Sequence, residues 1–161
     1  MPSAPARDAL YLDDLQVGDR FTSGELAIDA AQITAFAAQF DPQRFHLDDA
    51  FAQGTLFGGL AASGWHTAAV TMRLLIDGGM PIAGGVIAAG VTVQWPKPTR
   101  PGFILHVESE VLEIKPSRSR PDRGTVTTRS TTKNRQGDVV QILEAKIIVF
   151  RRPSALPGGA P

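Results

Sequence analysis

A chain of 161 residues with sixteen basic and sixteen acidic side chains and no cysteine is long enough to bury one core without cross-links. The balanced charge excludes a general attraction to nucleic acid or to an anionic membrane, and it points to a small partner. The missing cysteine excludes disulfides, thiolate nucleophiles and thiolate metal sites, in agreement with a reducing cytoplasm.

Residues 1–9 and 153–161 are rich in Pro, Ala and Gly and read as flexible tails around a single domain at 10–152. The N-terminal stretch has no apolar segment of signal-peptide type, which fits a cytoplasmic protein. Residues 20–28 read as a strand. Asp29 is a plausible N-cap for a helix at 30–39, where Ile33, Phe36, Ala37 and Phe40 form an apolar stripe. That helix stops at Asp41-Pro42, because proline disfavours a helical conformation in the residue before it. Residues 48–53 suggest a helical turn, and a glycine-bearing loop leads to a second helix at 64–77, ended by Gly78-Gly79. Trp65, Ala68, Ala69, Val70, Met72, Leu74, Leu75 and Ile76 cover most of its circumference, the mark of a buried helix. The surrounding segment 56–76 is too mixed, with His66 and Arg73, to span a bilayer. Strands follow at 85–95, 103–114, 124–132 and 138–150, separated by turns bearing proline or glycine. One buried helix before four long strands predicts an α+β fold, an antiparallel sheet wrapped around a long central helix. A flat helix-on-sheet sandwich is the competing architecture.

The chemistry concentrates in the turn Asp41-Pro42-Gln43-Arg44-Phe45-His46. A carboxylate and an imidazole five residues apart across a proline turn can reach one water, which is acid–base equipment. The bland reading makes Asp41 a turn cap and His46 a core histidine bonded to backbone. Gly64, eighteen residues past His46, opens the central helix, whose first N–H groups lack intrahelical partners and carry the positive end of the dipole. A thioester oxygen held there is polarised as in an oxyanion hole. Alternatively, Ser63 caps the helix and Gly64 relieves crowding.

Phe40-Asp41-Pro42-Gln43-Arg44-Phe45-His46-Leu47-Asp48, then Phe51-Ala52, then Ser63-Gly64, resembles the MaoC-like or (R)-specific enoyl-CoA hydratase family. The family pattern is roughly Gly-Asp-x-Asn-Pro-Leu-His-x-Asp, then Phe-Ala, then a His-Gly opening the central helix. The resemblance spans about residues 10–152 and implies a single hotdog domain, with Asp41 and His46 as the catalytic dyad and the Gly64 N–H as oxyanion donor. It also implies an acyl-CoA thioester substrate, coenzyme A entering only as part of it, and a homodimer built by joining sheets. The expected reaction is reversible syn hydration of a trans-2-enoyl thioester, without metal. Ser63, Arg44 and Trp65 are the accompanying candidates for substrate contact. The sequence departs from the pattern at Phe40, Gln43, Arg44 and Ser63, and Met72 stands where a serine is often found.

Rival readings remain. Asp41, His46, Asp48 and Asp49 have the ligand types of a divalent-cation site, although Asp48 and Asp49 also suit a helix start. His66 is either a pocket residue or a core histidine, His106 a surface or interface residue, and Trp95 a core or dimer residue. Seven basic residues against one acidic from 115 to 135 make either a solvated hairpin or a coenzyme A phosphate contact. A hotdog thioesterase and a non-catalytic acyl-binding or assembly subunit are the alternative functions.

Overall fold

The computed structural model describes residues 9–154, so the tails expected at 1–9 and 153–161 lie almost wholly outside the described residues. Leu10 exchanges main-chain hydrogen bonds with Pro81 and Ala83, at 2.7 and 2.8 Å. At the other end Arg151 and Arg152 pair with Asp13 and Asp14, and Arg152 lies 4.6 Å over the Tyr11 ring.

Six antiparallel strands form one sheet: β1 (Arg20–Thr22), β2 (Leu26–Ala27), β3 (Ile87–Gln94), β4 (Ile104–Pro116), β5 (Arg123–Asn134) and β6 (Val139–Phe150). Their order is β1-β4-β5-β6-β3, with β2 also on β4. The single strand expected at 20–28 is therefore two. Ser23 donates its N–H to Val107 O at 2.9 Å but accepts the Val107 N–H on its own hydroxyl, at 2.8 Å. A side chain thus replaces a main-chain carbonyl, and the ladder breaks before Leu26.

The long strands alternate as the period of two requires: Leu105, Val107, Ser109 and Val111 of β4 are buried, as are Val126, Thr128, Ser130 and Thr132 of β5. Register shifts fall between Ala88 and Gly90, Val111 and Glu113, and Thr132 and Lys133. Each inserts a residue that bends and twists its strand.

Three helices precede the long strands: α1 (Ala30–Phe40), α2 (Asp49–Ala52) and α3 (Gly64–Leu74). Asp29 starts α1 through a capping box, its carboxylate accepting the Gln32 N–H while Gln32 returns a bond to the Asp29 N–H, both at 2.8 Å. The last turns of the central helix, Leu75–Gly79, widen to π geometry and end at Gly78, whose φ of 136° suits glycine. α3 lies on β4 and β6. A curved antiparallel sheet carrying one long central helix is the hotdog arrangement expected for this α+β chain.

The central helix differs from the all-round apolar cylinder read from its composition. Its buried face is His66, Thr67, Val70, Thr71 and Leu74, while Trp65, Met72 and Ile76 are 62%, 40% and 55% exposed. The threonines can be buried because each hydroxyl finds partners. Thr71 Oγ1 donates to Thr67 O at 2.9 Å and meets Thr132 Oγ1 at 2.7 Å, and Thr67 Oγ1 meets Thr99 Oγ1 at 2.9 Å. The apolar contribution of this face comes from Val70, Leu74 and the following Leu75, whose full burial is worth about 1.5–3 kcal/mol each.

Candidate active site

The end of α1 places the carboxylate. Asp41 N–H still donates to Ala37 O, but Pro42 turns the chain out of the helix, and a single 3₁₀ turn over Arg44–His46 brings the imidazole back. His46 is 4% exposed, walled by Phe45 at 4.6 Å and Phe57 at 5.7 Å between ring centroids. Its Nδ1 lies 2.7 Å from Ala61 O. A carbonyl only accepts, so Nδ1 carries hydrogen and, in the neutral ring, Nε2 presents a lone pair.

That lone pair faces Asp41 Oδ2 at 3.4 Å. The distance is longer than the 2.7–2.9 Å usual for a charge-assisted bond and suits two acceptors that share a donor. Asp41 Oδ1 is separately engaged by the Gln43 amide at 2.7 Å. Burial pushes the Asp41 carboxyl up, but hydrogen bonds from the Ser63 hydroxyl and the Gln43 amide pull it down, as does His46 when its ring is charged, and together they hold Asp41 below the ordinary aspartate value. It remains a carboxylate.

Ser63 joins this pair. It is fully buried, and its hydroxyl accepts the Trp65 N–H at 3.2 Å as the N-cap of α3, leaving its hydrogen for Asp41. Gly64 N–H, the next donor, bonds to no acceptor among the described residues. At Gly64 the structure agrees with the reading in which glycine relieves crowding. A Cβ there would lie 2.7 Å from the Trp95 ring, so the missing side chain makes room for that indole. Trp95 is fixed in turn by Nε1 donating to Gln141 Oε1 at 2.8 Å and by an edge contact with Trp65 at 5.4 Å.

Arg44 and Trp65 stand apart from this group. Arg44 is paired with Asp48 at 3.3 Å and lies 4.4 Å over the Phe51 ring, held against α2 on the surface. Trp65 points outward beside Trp95. The carboxylates of the rival metal reading have other partners: Asp48 caps α2 through the Phe51 N–H at 3.1 Å, and Asp49 Oδ1 takes the Leu60 N–H at 2.7 Å. His106 lies on β4, 3.4 Å from Glu108 on the outer side of the sheet. Five of the seven basic residues from 115 to 135 pair with Glu113, Asp122, Glu144, Glu108 and Glu25.

Three contributors were not visible in the sequence. Gln43 counted only as a departure from the family pattern. The Ala61 carbonyl is main chain and leaves no compositional trace. Arg100 reaches back to hold the loop before α3, its guanidinium donating to Gly59 O at 2.8 Å, to Leu60 O at 3.2 Å and to Phe57 O. Two open surface depressions, of about 390 Å³ beside Phe103 and Arg135 and about 290 Å³ beside Val91 and Glu144, contain no residue of the dyad. No helix among the described residues is long and apolar enough to cross a membrane.

Known proteins are similar to this chain in sequence and fold. The crystal structure of a MaoC-like dehydratase from Rhodospirillum rubrum is 61% identical, aligns over 90% of this chain and 99% of its own, and superposes with a TM-score of 0.89. The 3-hydroxybutyryl-CoA dehydratase of Methylorubrum extorquens is 32% identical over 122 residues, 72% of this chain and 73% of that protein. An unliganded (R)-hydratase from Pseudomonas aeruginosa is 27% identical, with a TM-score of 0.70 over 95% of this chain and 97% of that one. The family model for the MaoC like domain matches residues 15–134, a span that takes in the Asp41–His46 turn, α3 and the strands to the end of β5, and the chain belongs to that family.

Proposed function

We propose that this protein adds water reversibly across the double bond of a 2-enoyl-CoA to give the (R)-3-hydroxyacyl-CoA. The observation that carries the reading is the pair of facing acceptors, Asp41 Oδ2 and His46 Nε2 at 3.4 Å, with the far side of the imidazole tied to Ala61 O. A water donating one hydrogen to each acceptor turns an oxygen lone pair outward as a nucleophile. Asp41, held below its ordinary pKa, is a poor proton acceptor and orients the water. His46 Nε2 takes the proton as oxygen bonds to the β carbon, and the same proton returns to the α carbon on the same face. Between these steps the thioester oxygen carries enolate charge, which the Gly64 N–H and the α3 dipole stabilise. Coenzyme A enters only as part of the substrate.

We further propose that the protein pairs with a second copy of itself. β3 is an edge strand of eight residues without a charge or a proline, exposed along nearly its whole length. Its Val91 continues through Trp95 and Trp65 to Met72 and Ile76, an exposed apolar band. Pairing of two β3 strands covers that band and joins two sheets, giving a homodimer.

The test is a panel of short, branched and dicarboxylic enoyl-CoA and 3-hydroxyacyl-CoA thioesters, followed by enoyl absorbance, with wild type, Asp41→Asn and His46→Gln. Each variant is expected to lose about 10²–10⁴-fold in rate. Well-folded variants as fast as wild type overturn the mechanism. Release of free thiol without hydration supports a thioesterase instead, and no turnover with any thioester supports a binding subunit.

A further inference from the structure

Among the described residues, the buried side-chain polar atom left without a hydrogen bond is Nδ1 of His66. The residue is 8% exposed, and buried polar groups are so regularly paired that an exception asks for a cause. His66 plays no part in the dyad, yet two separate paths of contact lead to it from Asp41. Along α3, it follows Ser63 by three residues, which places the two on the same side of the helix about 5–6 Å apart. Along α1, Phe40 precedes Asp41, the Phe36 ring lies 5.0 Å from that of Phe40, and His66 stacks parallel on Phe36 at 4.6 Å and 4°. An aromatic row thus runs from the residue next to Asp41 in the chain to this imidazole.

The tautomer follows from what surrounds each nitrogen. A hydrogen on the sealed Nδ1 would be a donor with no acceptor, a rarer and costlier state than an unused lone pair. Hydrogen therefore sits on Nε2, the nitrogen that is not sealed. Burial pushes the ring below the ordinary histidine pKa, and the positive end of α3 opposes a cation at the same place. His66 is a neutral donor with no hydrogen-bond partner among the described residues.

We propose that His66 Nε2–H donates a hydrogen bond to an oxygen carried on the acyl chain beyond its double bond, so that the protein selects oxygenated acyl groups. This rests on the acyl-thioester reading above. A reacting bond held at Asp41 and His46, with its carbonyl at Gly64, leaves the far part of a short chain one helical turn away, against the Phe40–Phe36–His66 row. A hydrocarbon chain would bury this donor unpaired, which a polar pocket resists strongly.

The experiment measures binding by calorimetry, with saturated thioesters that cannot be hydrated. Butyryl-CoA and 4-hydroxybutyryl-CoA are titrated into wild type, His66→Leu and His66→Gln, with thermal melts to verify folding. Wild type is expected to favour the hydroxylated thioester by about tenfold, the worth of one neutral hydrogen bond. That ratio should fall to about one in His66→Leu and recover in part in His66→Gln, which restores an N–H donor. No preference in wild type, no binding of either thioester, or an unchanged ratio in a folded His66→Leu overturns the proposal. If His66→Leu does not fold, His66→Gln decides alone: a ratio kept above one supports the proposal and a ratio of one overturns it. Hydration of crotonyl-CoA and of 4-hydroxycrotonyl-CoA in the same preparation separates the two readings. A binding preference without hydration sinks the hydratase reaction and leaves His66 as the reader, whereas hydration with equal affinities does the reverse.

Discussion

Replacing Gly64 by alanine tests how the mouth of the central helix is built. The new Cβ would lie 2.7, 2.8 and 2.9 Å from three atoms of the Trp95 ring, against about 3.5–4.0 Å for an ordinary carbon contact. The indole must withdraw by about 0.7–1 Å to restore that spacing. It is not free to do so, because Nε1 is bonded to Gln141 and its face meets the edge of Trp65. Overpacking of this kind costs about 1–3 kcal/mol, and the better helix propensity of alanine returns at most about 1 kcal/mol. A net loss of about 1–2 kcal/mol lowers the melting temperature by roughly 2–8 °C in a domain of this size. Thermal melts of Gly64→Ala, Trp95→Ala and the double variant check it. With the ring gone, alanine at 64 is expected to be neutral or stabilising, so the two changes couple by about 1 kcal/mol or more. An equal fall in both backgrounds, or no fall in either, refutes the argument. Because the displaced residue also carries the proposed oxyanion donor, Gly64→Ala should lower kcat more than it raises KM for hydration.

Gln43→Leu removes a donor that helps hold Asp41 as a carboxylate, so the Asp41 pKa rises and its carboxyl titrates at higher pH when followed directly by NMR. An unmoved titration of that carboxyl contradicts this. The same group has a stability signature. Its folded pKa lies below the ordinary aspartate value of 3.8, so its contribution is present above that value and lost as pH falls through the depressed folded one. Wild type should therefore lose more stability than Asp41→Asn when acid melts are taken below pH 3.8. Arg100→Ala frees three carbonyls of the loop before α3 and is expected to cost about 2 kcal/mol in denaturant titrations, with weaker hydration through the loosened Ala61 carbonyl. Val91→Lys puts a charge on the exposed β3 edge and should shift the protein from dimer to monomer in light scattering.

The elements were legible because their signals are local. Asp29 marks a helix start, Asp41-Pro42 a helix stop, and turns bearing proline or glycine the bounds of the long strands. Ser23 shows where local signals stop: its residue type permits a strand, and only the partner Val107 reveals that its hydroxyl interrupts the ladder. The central helix shows a second limit. Thr67 and Thr71 look like surface residues until the sheet supplies Thr99 and Thr132 at hydrogen-bond distance, whereas Trp65, Met72 and Ile76 look like core until the sheet proves to cover one side only.

The site divides in the same way. Asp41 and His46 were picked out by type and spacing and given their role by the family resemblance, which also brought in Ser63, and the structure places the three together. At Gly64 the reading of relieved crowding gains its partner, the Trp95 ring, which fills the space a side chain would take. What composition does not carry is the orientation of polar atoms. The Ala61 carbonyl selects the hydrogen on His46, and the Gln43 amide occupies one oxygen of Asp41, so the other faces Nε2. Two residues five apart can coordinate water, cap a turn or do nothing. Those two bonds turn the pair into facing acceptors, and facing acceptors are the feature from which the hydration chemistry follows.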